Sequence, residues 1–141
     1  MKSEKEKKPR IDGQLTALAG ELFVAAELLK RGLQTSVTFG NAKAIDLFAH
    51  NPRSGKAFTV QVKALRRTNY FPIASAKVDR EHVYVFVLLN DPGKPVEYFV
   101  VPGQELVSNA AQFGNSLVDP KFPCIHPKAL ESFRDKWDFF E

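Results

Sequence analysis

Residues 43–65 read KAIDLFAHNPRSGKAFTVQVKAL, two apolar-rich segments on either side of the turn sequence Asn51-Pro52-Arg53-Ser54-Gly55. Alternating β-formers flanking a Pro- and Gly-containing break predict a hairpin, with strands over 43–50 and 57–65. Successive strand side chains point to opposite faces, so Thr59, Gln61 and Lys63 share one face while Phe58, Val60, Val62 and Ala64 form the core face. On the preceding strand Asp46 shares a face with Ala44 and Phe48, and Ile45 and Leu47 point the other way. An acid therefore stands in a mainly apolar segment. With the turn centred between Arg53 and Ser54, Asp46 lies opposite Gln61, Cβ atoms ~5 Å apart, and Lys63 follows one repeat along at ~7 Å.

Working back from the hairpin, Leu15, Leu18, Leu22, Ala25, Ala26 and Leu29 recur at helical spacing from about Asp12, with Gly32 placed to end the helix. This leucine stripe is expected to face the core. Phe23 and Val24 widen the apolar surface nearly all round, which predicts packing on more than one side. Glu21 lies at the edge of the stripe and can look inward, whereas Glu27 lies on nearly the opposite side. A helix crossing the sheet would bring Glu21 to Asp46, gathering two carboxylates, an amide oxygen and an ammonium. Such a group is costly to bury without a purpose. Its oxygen ligands suit a hard cation, Mg²⁺ with Mn²⁺ as an alternative.

Working forward, 33–39 adds a strand before the hairpin, and 68–80 reads as a loop with at most a short helix. A buried strand follows over 82–89, then the Asp91-Pro92-Gly93 turn, a strand over 96–101, a short helix over 104–112 and a last helix from Pro127 through 137. The aromatics Phe133, Trp137, Phe139 and Phe140 in that last segment are expected to plug the core. The predicted class is α/β, an α-β-β-β core within a central mixed sheet of about five strands flanked by helices.

The chain has 141 residues, 44% of them hydrophobic and 26% charged, which suits one folded domain over 11–141 behind a flexible basic arm over 1–10. The longest apolar run, 83–89, has only strand length, so neither a membrane span nor a secretory leader is expected and a cytoplasmic location is predicted. Cys124 is the sole cysteine, which excludes an internal disulfide or a cysteine-based zinc site and agrees with a reducing compartment. His50, His82 and His126 lack a zinc-site spacing. The net charge of +4 is unevenly spread: 41–81 holds eight Lys/Arg against three Asp/Glu, and 82–141 holds five against eight. A local positive excess suits an anionic polymer, and equally a solvated basic surface.

Taken together, Gly20-Glu21, Ala44-Ile45-Asp46 and Gln61-Val62-Lys63, in that order on a helix and a β meander, resemble the PD-(D/E)xK nuclease superfamily, which includes many restriction endonucleases and the archaeal Holliday-junction resolvases. The resemblance covers roughly 20–65. It implies a restriction endonuclease-like fold and a metal-dependent endonuclease acting on DNA, with RNA left open. It makes Asp46, the Gln61 side chain and the Val62 carbonyl metal ligands, Lys63 the group that positions or activates water, and Glu21 a metal or water contact. Arg66 and Arg67 would touch phosphates, with Lys43, Arg53 and Lys56 extending the track. Relatives of this size imply a homodimer or a larger assembly. The sequence departs from the pattern where Ile45 replaces the proline and where Gln61 replaces the acid, removing one negative charge from the ligand set. The alternative is a nuclease-fold binding or assembly module without catalysis.

Overall fold

A computed structural model describes residues 13–40 and 45–141. The basic arm, Asp12, Lys43 and Ala44 lie outside the described residues. Helix α1 (Gly13–Lys30) leads into strands β1 (Gln34–Val37), β2 (Leu47–His50) and β3 (Ala57–Leu65). Two-residue β4 (Phe71–Pro72), β5 (His82–Leu88), β6 (Glu97–Pro102), α2 (Gly103–Ser108) and β7 (Cys124–Ile125) follow, with five 3-10 segments among the described residues. The main sheet is mixed and five-stranded, in the order β1-β2-β3-β5-β6, and β4 pairs with β7 in a separate small ladder. Strands β1, β2 and β3 form an antiparallel meander, β3 and β5 run parallel, and β5 and β6 are antiparallel. This is the expected α/β class with a five-stranded mixed sheet.

The parallel pair explains the unbroken apolar run in β5. A central strand covered on both faces needs apolar side chains at every position, and all its residues from Val83 to Leu88 are buried. One face packs Val83, Val85 and Val87 with Val24, Leu28, Val60, Trp137 and Phe140. The other packs Tyr84, Phe86 and Leu88 with Phe71, Leu117, Ile125 and Leu130. Among the described residues no helix is long and apolar enough to cross a membrane.

Three expectations need correction. The leucine stripe of α1 does not face the core: Leu15, Leu18, Leu22 and Leu29 are 56%, 37%, 47% and 54% exposed, and Gly20, Val24, Ala25 and Leu28 are the residues that pack inward. Small residues win because the helix lies very close to β3, where a Cβ on Gly20 would stand 2.5 Å from the Ala64 Cβ. The last segment is not an α-helix but two 3-10 segments, Pro127–Phe133 and Trp137–Phe140, separated by Asp135 at φ 53°. A period of three aligns Leu130 with Phe133 and Trp137 with Phe140, but the pairs serve different cores and a continuous helix could not serve both. Of the tail aromatics Trp137 and Phe140 are buried and Phe139 is exposed. Finally, 68–80 is not only loop and helix, because Phe71 pairs with Ile125 across the small ladder.

Candidate functional site

The hairpin turn is fixed by Asn51, which is buried; its amide donates to the Phe140 carbonyl at 3.0 Å and accepts from the Arg53 N–H at 2.9 Å. From that anchor the β2–β3 ladder runs His50↔Ala57 to Leu47↔Val60, the register predicted from the turn centre. One residue beyond, the strands separate. The Asp46 N–H donates to the Val60 carbonyl at 2.9 Å, a shift of one residue from the ladder, and the Val62 N–H donates to Asp46 Oδ2 at 2.8 Å. The Asp46 carbonyl accepts from the Thr38 N–H at 2.9 Å. Asp46 is thus held by its backbone and one carboxylate oxygen at the point where the sheet opens. The N–H and C=O of a strand residue point to the same side, so the Val62 carbonyl faces the same gap.

Glu21 arrives from α1. Gly20 brings the helix onto Ala64 and Val62, and the next residue's carboxyl reaches Asp46 and shares a hydrogen bond with it. Burial, then the Asp46 charge, then that hydrogen bond push the Glu21 carboxyl up from 4.5 to about 7. Near neutral pH the pair therefore needs a shared proton or a cation, because two adjacent carboxylates do not both ionise freely. Lys63 lies within reach of the Asp46 charge. Burial pulls its ammonium below the ordinary lysine range, and Asp46 opposes that shift. An ammonium kept partly out of water next to a carboxylate is poised to interact strongly with any third charge that enters.

Glu21, Asp46 and Lys63 thus meet at the opening of the sheet. Gln61 shares a face with Lys63, and the two line a hollow of ≈ 130 Å³ with Ile73, Lys77 and Tyr84. Lys77 was not singled out in the sequence because it sits in the segment read as loop; the 3-10 turn Ser75–Lys77 carries it to the site. Its only signal was a basic residue shortly downstream of the motif. Among the described residues no three His, Cys, Asp or Glu side chains stand together as a metal cluster. A cation here would draw on Glu21, Asp46, the Gln61 amide oxygen and the Val62 carbonyl, an all-oxygen set that fits a hard divalent ion.

The expected basic track is interrupted. Arg53 donates to the Arg31 carbonyl at 3.4 Å and Lys56 to the Glu141 carbonyl at 3.2 Å, both at the opposite end of β3 from Lys63. At ~3.3 Å per residue, Lys56 is about 23 Å away along the strand. Arg66 Nε donates to Thr16 Oγ1 on α1 at 3.0 Å, and Arg67 lies 3.6 Å from Asp91 in the β5–β6 turn. Glu27, expected to face away, pairs with Arg31 at 3.5 Å. Compared with protein-family models, with curated proteins and with solved structures, the chain matches none.

Proposed function

We propose that this chain is a metal-dependent phosphodiester hydrolase of the PD-(D/E)xK kind, acting on DNA. The observation that carries the reading is the Glu21–Asp46 carboxylate pair, held together at an opening in the sheet with the Lys63 ammonium beside it. A structural role explains the pair poorly, since packing alone gains nothing from forcing two acids together. A divalent cation bound by Glu21, Asp46, Gln61 and the Val62 carbonyl would acidify the attacking water and offset charge on the phosphate. Asp46 fixes the gap by holding the Val62 N–H. Lys63 meets the non-bridging phosphate oxygens and orients the water that attacks phosphorus as the ester P–O bond breaks and the leaving oxygen takes up a proton. Lys77, lining the same hollow as Lys63, contacts an adjoining phosphate.

The reading places the protein in the cytoplasm, where the one thiol, Cys124, stays reduced. It also makes the chain a homodimer. Leu15, Leu18, Leu22 and Leu29 are exposed and lie three, four and seven residues apart, the heptad spacing of a coiled-coil seam whose remaining position, Ala25, packs inward on the sheet. Such a seam is self-complementary across a two-fold axis.

Incubation of purified protein with plasmid DNA in Mg²⁺ should give nicks or cuts that EDTA abolishes. Lys63→Ala and Asp46→Asn should each lower the rate by about 100-fold or more. Equal cutting by those variants would overturn the assignment. Gln61, which supplies no negative charge, motivates a second reading, a binding module without turnover. EDTA-insensitive DNA binding with no cleavage would favour it.

A further inference from the structure

The two faces of the sheet are covered unequally. On the face that carries Gln61 and Lys63, Phe71, Ile125 and Leu130 pack over β5 and β6. Over β1, β2 and the start of β3 that same face floors an open hollow of ≈ 590 Å³. At its base is Phe48, 43% exposed and flanked in register by Ser36 on β1 and Thr59 on β3. An aromatic ring left bare at the centre of a sheet face is unusual, because cross-strand neighbours or a covering layer normally bury it.

The polar side chains around Phe48 include Gln34, Ser36, His50, Thr59 and Glu81. His50 Nδ1 and Gln34 Oε1 are 3.2 Å apart, which orients the Gln34 amide with its NH₂ free to donate. Thr59 Oγ1 is 2.7 Å from His82 Nδ1, and Glu81 stands at the rim. No Lys or Arg is among the described residues that line the hollow. A flat aromatic-sized group with hydrogen-bonding edges would find a ring to lie on and amide, imidazole and hydroxyl groups to meet its rim. The space is within the ~300–1,000 Å³ range of small-molecule pockets and accepts a single base with room to spare.

The hollow lies on the same sheet face as Gln61 and Lys63, which line the smaller hollow farther along β3. Phe48 pairs with Thr59, which precedes Gln61 by two residues and Lys63 by four, so about 7 Å of strand separates the aromatic floor from Gln61 and about 13 Å separates it from Lys63. That interval is on the scale of about one to two nucleotides.

We propose that this hollow receives an unpaired nucleobase of the substrate, stacked on Phe48, while a phosphate one or two nucleotides along stands at Lys63. The inference rests on the phosphodiesterase reading above and narrows its substrate to nucleic acid with at least one unpaired nucleotide at the cleavage point, as in a single strand, flap or branch. A base inside a duplex already has both faces stacked and reaches Phe48 only by extrusion. Stacking on a ring accepts any base, so the preference is for strand structure and not for sequence.

The test uses one oligonucleotide carrying 2-aminopurine, presented as a DNA single strand, as a fully paired duplex and as an RNA single strand, with Ca²⁺ in place of Mg²⁺. Binding of a single strand to the unaltered protein should change the probe's fluorescence by stacking. Phe48→Ala should abolish that change and weaken single-strand binding by roughly 5- to 100-fold, with duplex binding unchanged; Phe48→Trp should retain both. Lys77→Ala should weaken single strand and duplex alike. A response from the RNA strand alone would support the hollow and identify its polymer as RNA. If Phe48→Ala changed neither form, or both equally, while Lys77→Ala still weakened both, the base site would be refuted and the phosphodiesterase reading would stand. Failure of every probe to bind the unaltered protein would overturn both. The melting temperature of Phe48→Ala, a substitution at a partly exposed position, checks that the fold is retained.

Discussion

Replacing Gly20 with alanine tests how the helix places Glu21. The added Cβ would sit 2.5 Å from the Ala64 Cβ and 3.4 Å from Val62 Cγ1, and carbon atoms pack favourably only at about 3.5–4.0 Å. Helix α1 must therefore retreat from β3 by about 1 Å. Overpacking of this kind costs about 1–3 kcal/mol, and the better helix propensity of alanine returns about 0.5–1 kcal/mol. A net loss of about 1 kcal/mol would lower the melting temperature by about 3–4 °C for a chain of this size. Activity should fall more steeply, because a displacement of about 1 Å of a group at the reacting centre can cost about 100-fold in rate. Gly13→Ala is the control: nothing lies within 4 Å of its added Cβ, so stability and rate should hold. Pairing Gly20→Ala with Ala64→Gly reopens the space. The double variant should recover stability and rate beyond additivity, with a coupling of about 1 kcal/mol by thermal denaturation. A Gly20→Ala protein as stable and active as Gly13→Ala, or additive behaviour in the double variant, would refute the close approach as the device that sets Glu21.

The raised Glu21 carboxyl predicts a pH dependence of the metal-free protein. Its protonated form contributes stability that is fully present below about pH 4.5 and is lost as the pH rises through about 7, so the melting temperature should decline across that window. Glu21→Gln should flatten the decline, and an unchanged slope would contradict the coupling to Asp46. Addition of Mn²⁺ should stabilise the protein more at pH 8 than at pH 6, since cation and proton compete for one pair of carboxylates; equal stabilisation would count against the site. Leu22, 47% exposed on the outer face of α1, should support self-association. Sedimentation should give a dimer for the unaltered protein and a monomer for Leu22→Glu, whereas a monomer in both cases would rule out the α1 seam.

Much of the site was legible because it depends on local rules. The Asn51–Gly55 turn fixed the hairpin register, and the period of two along β3 separated Gln61 and Lys63 from the core-facing Val60, Val62 and Ala64. The inward face of α1 was not legible. Apolar residues surround that helix, so periodicity could not choose between the leucine stripe and the Gly20–Val24–Leu28 side; the choice depends on how closely the backbone can approach β3, a tertiary property. The one-residue shift at Asp46, which turns its carboxylate into the partner of the Val62 N–H, likewise follows from where β2 leaves the sheet. The β4–β7 ladder joins Phe71 to Ile125, and no local pattern marks two-residue strands so far apart in sequence. Arg53 and Lys56 read as phosphate contacts by charge alone, while the structure places them against the carbonyls of Arg31 and Glu141.

Anomalous diffraction from a crystal grown with Mn²⁺ probes the carboxylate gap most directly. A single strong peak should lie about 2.0–2.3 Å from oxygens of Asp46 and Gln61, with Glu21 coordinating directly or through one water, and Asp46→Asn should weaken or remove it. Peaks only elsewhere on the surface, at Mn²⁺ concentrations that stabilise the protein in solution, would contradict a cation site between α1 and β3.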